Sequence, residues 1–123
     1  MFIKKLKDCT EIISGDNVLL REMLHPDKEE LSLRYSLAHA VLRKGAESLP
    51  HRMAASEVYY ILEGRAVMHI DNEEREVAAG DTVYIPPGSV QYIKNTGSSD
   101  LKFLCMVDPA WKKEEEEIIS SHI

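Results

Sequence analysis

The chain is poor in most of the residues that mark a specialised class of protein. It has 2 cysteines, Cys9 and Cys105, far apart and without the paired spacing of a metal knuckle. A disulfide-stapled secreted domain and a cysteine–zinc module are therefore excluded, and a reduced, cytoplasmic protein is expected. No apolar run approaches the ~20 residues that a membrane-crossing helix needs. The opening MFIKKLKD carries the charges of a signal peptide but no apolar region follows them. Positive charge is in short supply as well, with 15 Lys and Arg against 21 Asp and Glu and a formal net charge of −6. A nucleic-acid surface wants a basic patch, so neither nucleic acid nor membrane is an expected partner. Repeats, linkers and low-complexity segments are also missing, which leaves 1–123 as a single domain.

What is present is an ordinary globular composition, 44% hydrophobic and 29% charged, in a chain long enough to bury a core without staples. Strand-like alternation runs through most of it. Thr10 to Ile13 and Val18 to Leu24 read as strands around the turn-prone Ser14-Gly15-Asp16-Asn17, and His25-Pro26-Asp27 breaks the second. His25 in that polar turn is expected to be exposed. From Leu31 onward, Leu33, Tyr35, Leu37, His39 and Val41 share one parity, and the bulky set is expected to face inward. That places His39 inside, near His51 or as a core histidine satisfied by one hydrogen bond. Arg65 to Ile70 and the turn at 71–74 read as strand then hairpin, with His69 exposed. Cys105, within LKFLCMV, reads as a small buried hydrophobe. Asp108-Pro109 has the form of a helix start, so a short helical tail over 108–120 is expected, with Trp111, Ile118 and Ile119 on one stripe and Glu114 to Glu117 solvated.

Two stretches carry the chemistry. In GAESLPHRMAASEVYYILEG, Gly45 to Gly64, His51 and Met53 point the same way on a strand, and Ala54-Ala55-Ser56 is short enough to turn. Glu57, folded back, then lies beside His51. An imidazole and a carboxylate converging on one cavity suit a divalent metal or acid–base work. Tyr59 and Ile61 share the parity of Glu57, while Val58, Tyr60 and Leu62 form a second apolar face that something must cover. In GDTVYIPPGSVQYIKN, Gly80 to Asn95, Pro87-Gly88 occupies the centre of a type II turn. Gln91, Ile93 and Asn95 follow at one parity.

The spacing of these residues resembles the two motifs of the cupin superfamily of small β-barrels. The first, G-x5-H-x-H-x3-4-E-x6-G, is met at Gly45, His51, Glu57 and Gly64, with Met53 where the second histidine is expected. The second, G-x5-P-x-G-x2-H-x3-N, is met at Gly80, Pro86, Gly88 and Asn95, with Gln91 in the histidine's place. The resemblance implies an all-β double-stranded β-helix, or jelly-roll barrel, with motif one at 45–64 and motif two at 80–95. It also implies a homodimer joined through a sheet face.

On this reading the pocket is lined by His39, Met53, Tyr59, Gln91 and Ile93, with Glu57 and His51 as catalytic residues. His51, Glu57 and Gln91 are the candidate ligands of a divalent ion such as Zn, Mn or Fe. The expected function is a metal-dependent enzyme acting on a sugar phosphate or a small oxygenated metabolite, by isomerase, lyase or oxygenase chemistry. Phosphomannose isomerases of the cupin class, which set glutamine, histidines and glutamate on zinc, supply the specific guess of a mannose-6-phosphate isomerase-like reaction. The alternative is a metal-free cupin that binds or senses a small molecule. A dimeric interaction protein with a vestigial pocket is the third reading.

Overall fold

Period-two alternation in short segments, punctuated by turn residues, folds here into two antiparallel sheets laid face to face. The computed structural model describes residues 1–119. In chain order the strands are β1 (Glu11–Ile13), β2 (Leu19–Leu24), β3 (Ser36–Leu42), β4 (His51–Arg52), β5 (Ser56–Glu63), β6 (Arg65–Ile70), β7 (Glu73–Ala78), β8 (Thr82–Ile85), β9 (Gln91–Asn95), β10 (Leu101–Asp108) and β11 (Glu117–Ile118). One sheet has the order β1-β2-β3-β10-β5-β8 and the other β11-β4-β9-β6-β7. The chain passes repeatedly from one sheet to the other, so sequence neighbours such as β5 and β6 lie in different layers. This is the jelly-roll barrel.

The inner faces meet in an apolar core of Leu42, Ile61, Ile93, Leu101 and Phe103, each no more than 2% exposed. Burying side chains of this size contributes roughly 1.5–3 kcal/mol each. Two motif landmarks hold the layers in register. Gly64 turns the chain between β5 and β6 at φ +97°, and a Cβ there would stand 3.2 Å from the Asp100 carbonyl oxygen. Only glycine accepts both that dihedral and that contact. Asn95 donates through Nδ2 to the carbonyls of Leu42 (3.0 Å) and Ser99 (2.9 Å), and accepts from the Gly97 N–H (2.9 Å). Itself buried, it ties the 96–99 loop to the end of β3.

The parity expected for β3 is reversed. Ser36, Ala40 and Leu42 are the buried set, and Leu37, His39 and Val41 point to the outer face. The pairing with β10 explains the reversal: Ala40 lies beside Phe103, so the small residue faces inward where the aromatic ring fills the space. The bulky outward set is sheltered in part by the N-terminal segment, because His39 and Val41 share a surface hollow with Leu6, Leu19, Arg21 and Lys102. Bulk alternated along this strand, but both faces are covered, so bulk alone could not choose between them.

The expected C-terminal helix is also absent. Asp108 ends β10, and its carboxylate takes a bidentate contact from Arg34 (2.7 and 2.8 Å) instead of capping a helix. After it the chain is extended, apart from one 3-10 turn at Lys113–Glu115, and β11 then pairs with β4. A run of four glutamates repels itself in a helix, whereas the ladder to β4 satisfies the backbone and sets Glu117 against Arg52. Residue 120 of the expected tail lies outside the described residues. No helix of the described residues is long and apolar enough to cross a membrane.

Two histidines differ from their sequence reading. His25 is buried, 4% exposed, with Nε2 2.7 Å from the Trp111 carbonyl and Nδ1 accepting from the Asp27 N–H (3.1 Å). The break at Pro26 is folded under the tail rather than into solvent. His69 is half-buried and stacks on Tyr92, its cross-strand neighbour, at a centroid distance of 4.1 Å.

Candidate functional site

β4, β5 and β9 bring three sequence-flagged residues to one end of the barrel interior. His51 opens β4, directly opposite Gln91, the first residue of β9. Glu57, second in β5, faces them from the other sheet. All three are buried, with His51 and Gln91 at 1% and Glu57 at 4% exposure. Gln91 Nε2 donates to Glu57 Oε1 at 2.5 Å, and the Tyr59 hydroxyl donates to Gln91 Oε1 at 3.1 Å. His51 Nε2 lies 3.9 Å from Glu57 Oε1.

The histidine is fixed from behind. Its Nδ1–H donates to the Leu49 carbonyl at 2.9 Å, with Asp16 Oδ2 3.4 Å from the same nitrogen. In the neutral ring this leaves Nε2 free, facing Glu57. Asp16 comes from the turn before β2. Its carbonyl accepts from the Leu49 N–H at 2.8 Å, and its carboxylate accepts from the Ser14 hydroxyl. That turn therefore crosses from one sheet to the other and closes a line Asp16–His51–Glu57 through the barrel.

Four further residues join the site that sequence reasoning left out. Cys105, on β10 beside Tyr59, donates its thiol to Glu57 Oε2 at 3.3 Å. Trp111 and Glu116 reach in from the tail, where the indole N–H donates to Glu116 Oε2 at 3.1 Å. Glu22 enters from β2, its carboxylate 2.6 Å from Lys28 Nζ. The cavity that these groups enclose measures about 40 Å³, and no lysine or arginine lines it. One water needs ~10–15 Å³ by the same kind of measure, so there is room for about three.

His39, Met53, Gln91 and Ile93 do not line this cavity, although Gln91 hydrogen-bonds Glu57 and Tyr59, which do. His39 is on the outer face of β3, as described above. Met53 packs with Ala55 and Val107 in a separate apolar cluster, and Ile93 belongs to the main core. The signals for the missed residues were weak in sequence: Asp16 lay in a turn, Glu116 in an acidic run, and the thiol of Cys105 in an apolar strand.

Burial sets the electrostatics. It pushes the Glu57 carboxyl up to about 7, against smaller downward pulls from His51 and the Cys105 thiol. The Tyr59 hydroxyl and the Cys105 thiol are both pushed well up, first by burial and then by the Glu57 charge. Glu116 is raised by burial and by Asp16. A group with a pKa near neutrality beside a free imidazole nitrogen can exchange protons with a ligand held between them.

The family model described as a cupin domain matches residues 38–107, more than half of the chain. This chain belongs to the cupin family. An uncharacterised protein of Methanocaldococcus jannaschii is 44% identical to it over 108 residues, which is 87% of this cupin and 86% of that protein. An oxalate-binding protein of Thermotoga maritima is 39% identical over 51 residues, covering 42% of each chain. Among solved structures, a predicted oxalate decarboxylase of Thermotoga maritima superposes with a TM-score of 0.78 at 25% identity, over 88% of this cupin and 99% of that chain.

The donor set of this cupin does not fit a resident Zn, Mn or Fe ion. Gln91 turns its amide nitrogen, not its oxygen, to Glu57, because its oxygen is held by Tyr59. Both oxygens of Glu57 already accept side-chain hydrogen bonds, and Met53 sits in another cluster. Of the expected ligands only His51 Nε2 is without a hydrogen-bond partner, and even with Glu57 Oε1, 3.9 Å away, the set is one donor short of the three protein ligands that such ions usually take. Among the described residues, no group of three His, Cys, Asp or Glu stands in ligating geometry.

Proposed function

We propose that this chain is a small-molecule-binding cupin that works without a resident metal. The observation that carries the reading is the pairing of Glu57 and Gln91: both Glu57 oxygens accept side-chain hydrogen bonds, from the Gln91 amide and the Cys105 thiol, and the Gln91 oxygen accepts from Tyr59. A metal site would need the Gln91 oxygen turned to the ion and a third protein ligand beside His51 and Glu57. The lining also bears on the ligand. Asp16, Glu22, Glu57 and Glu116 share the lining with one imidazole, and no lysine or arginine is part of it. Such a cavity favours a small neutral or cationic molecule that brings its own hydrogen-bond donors. A dicarboxylate such as oxalate, named for the Thermotoga relative, would meet four carboxyl groups, of which only Glu22 has a counter-charge, in Lys28. A sugar phosphate meets the same objection, so the isomerase guess gains no support from this lining.

A second reading rests on the Glu57 carboxyl at about 7, opposite His51 Nε2. The pair then acts as acid and base on a bound hydroxyl or carbonyl, making the same cavity an active site for a small oxygenated metabolite. We further read the protein as a cytoplasmic homodimer. Both thiols, Cys9 and Cys105, are free. Tyr60 and Leu62, on the outer face of β5, are 42% and 37% exposed, alongside Met106 at 36% on β10 and Tyr84 at 59% on β8. An apolar face of this kind is suited to a second copy, in an interface of at least ~1,000 Å² in total.

The decisive experiment is elemental analysis of freshly purified protein, followed by calorimetric titration with Zn and Mn after chelation. Absence of stoichiometric metal and of tight rebinding is expected. One retained equivalent per chain, lost in Glu57→Ala, would overturn the metal-free reading. A thermal-shift panel of amines, polyols and dicarboxylates then tests ligand class, and stabilisation by oxalate alone counts against it.

A further inference from the structure

The cavity is too small for a metabolite in its closed form. Ligand pockets usually enclose ~300–1,000 Å³, and this one encloses about 40 Å³. One part of its wall is unlike the rest. β2, β3, β5 and β10 are long ladders of the main sheet, whereas Trp111 and Glu116 belong to a strap that crosses the end of the barrel after β10.

The two ends of that strap are held differently. At its start, the Ala110 N–H donates to the Arg34 carbonyl (2.8 Å), and the Trp111 N–H donates to the Ser36 hydroxyl (2.8 Å). The Trp111 carbonyl accepts from buried His25, and Asp108 is clamped by Arg34. At its far end, β11 is two exposed residues long. There the fastenings are the short ladder to β4, the Ile119 N–H to the Pro50 carbonyl (2.8 Å), and the Arg52–Glu117 pair at 2.8 and 3.0 Å. Between the ends, residues 112–115 are exposed and the 3-10 turn buries none of its residues. A segment with few buried contacts and solvent-exposed fastenings opens before the barrel does.

We infer that the strap from Trp111 to Ile119 is a lid on the binding cavity, anchored at Trp111 and latched at β11 by Arg52 and Glu117. Opening withdraws Glu116 from beside Asp16 and admits a ligand to His51 and Glu57. Because Glu117 and Ile118 pair with Arg52 and His51 themselves, the latch and the binding residue share one strand. A ligand that moves His51 therefore also strains the latch. The inference rests on the proposed binding role for its purpose, but the opening itself needs no ligand.

Two built-in reporters read the opening. Trp111 is the single tryptophan of the chain. The Cys105 thiol lies inside the cavity against Glu57. The experiment follows modification of Cys105 by a small thiol reagent in a Cys9→Ser background, with acrylamide quenching of Trp111 in parallel. Should Cys9→Ser fail to fold, peptide mapping by mass spectrometry separates the two thiols in the natural chain. Arg52→Ala and Glu117→Ala are each expected to speed labelling roughly two- to fivefold, the range for loss of an exposed ion pair. The reversed pair, Arg52→Glu with Glu117→Arg, should restore the natural rate. Labelling that is the same in all variants would overturn the lid, as would labelling that follows global unfolding in urea. If the lid opens as expected but no compound in the ligand panel binds, the binding reading fails and the lid stands.

Discussion

The two halves of the barrel interior are built from the same strands and differ in almost everything else. Along β5 the inward residues run Glu57, Tyr59, Ile61; along β9 they run Gln91, Ile93, Asn95; along β10 they run Leu101, Phe103, Cys105 and Val107. One half is a dry core around Phe103 and Ile61. The other gathers an imidazole, a thiol and carboxyl groups around a small void. Equal burial thus has opposite energetic signs within two or three positions of one strand. The dry half contributes stability. The polar half gives stability up, since ionising Glu57 there is opposed by burial. A costly buried charge in a barrel that otherwise packs well points to selection for binding or chemistry rather than for folding.

The largest effect that sharpens this contrast lies in the dry half. Phe103→Ala should destabilise the barrel by about 3–5 kcal/mol through lost burial and a residual cavity. Urea unfolding measures it, and a loss below about 1 kcal/mol would mean that the core closes over the gap.

The next concerns Glu57 and has the opposite sign. Its folded-state pKa is about 7, above the ordinary glutamate value of 4.5. The folded protein therefore holds a proton that the unfolded chain has released between these values, and stability falls as pH rises through that window. Below about 4.5 both states are protonated and the penalty is absent. Above 7 it is fully present, at up to about 3 kcal/mol. Glu57→Gln should therefore be more stable than the natural protein at pH 8, with the gain fading toward pH 4.5. A difference that stays flat between pH 5 and 8 would show that Glu57 carries no such penalty.

A smaller change tests the thiol. Cys105→Ala removes one donor to Glu57 Oε2, at a cost of about 1 kcal/mol. Because that donor lowers the Glu57 pKa, its loss should cost more at pH 8 than at pH 5, which thermal melts at the two values will read. The smallest effect on the barrel itself belongs to its outside. Tyr60→Asp should leave each protomer's stability within about 0.5 kcal/mol, yet produce monomers in sedimentation at micromolar concentration. A natural protein that already sediments as a monomer would remove the homodimer from the reading.

The barrel was legible in the chain because its cues are local. Gly64, Gly88 and Asn95 each answer a backbone demand at a fixed spacing, and the inward parity of Glu57, Tyr59 and Ile61 follows from strand period. The reading failed where the deciding partner is remote. The bulky residues of β3 share the parity of His39 and point it inward by pattern, but Phe103 on β10 decides which face of β3 has room. Asp108-Pro109 has the local form of a helix start, yet Arg34, 74 positions away, claims the aspartate.

The sequence by itself determined the two-layer barrel and the end of it at which His51, Glu57 and Gln91 meet, because turn dihedrals and side-chain parity are properties of neighbouring residues. Only the tertiary structure decided what those residues meet there. The orientation of the Gln91 amide depends on Tyr59, the second hydrogen bond to Glu57 on Cys105, and the hold on His51 on Asp16 from a distant turn. Hydrogen-bond partners across sheets are set by how layers stack, and no spacing along the chain encodes that distance.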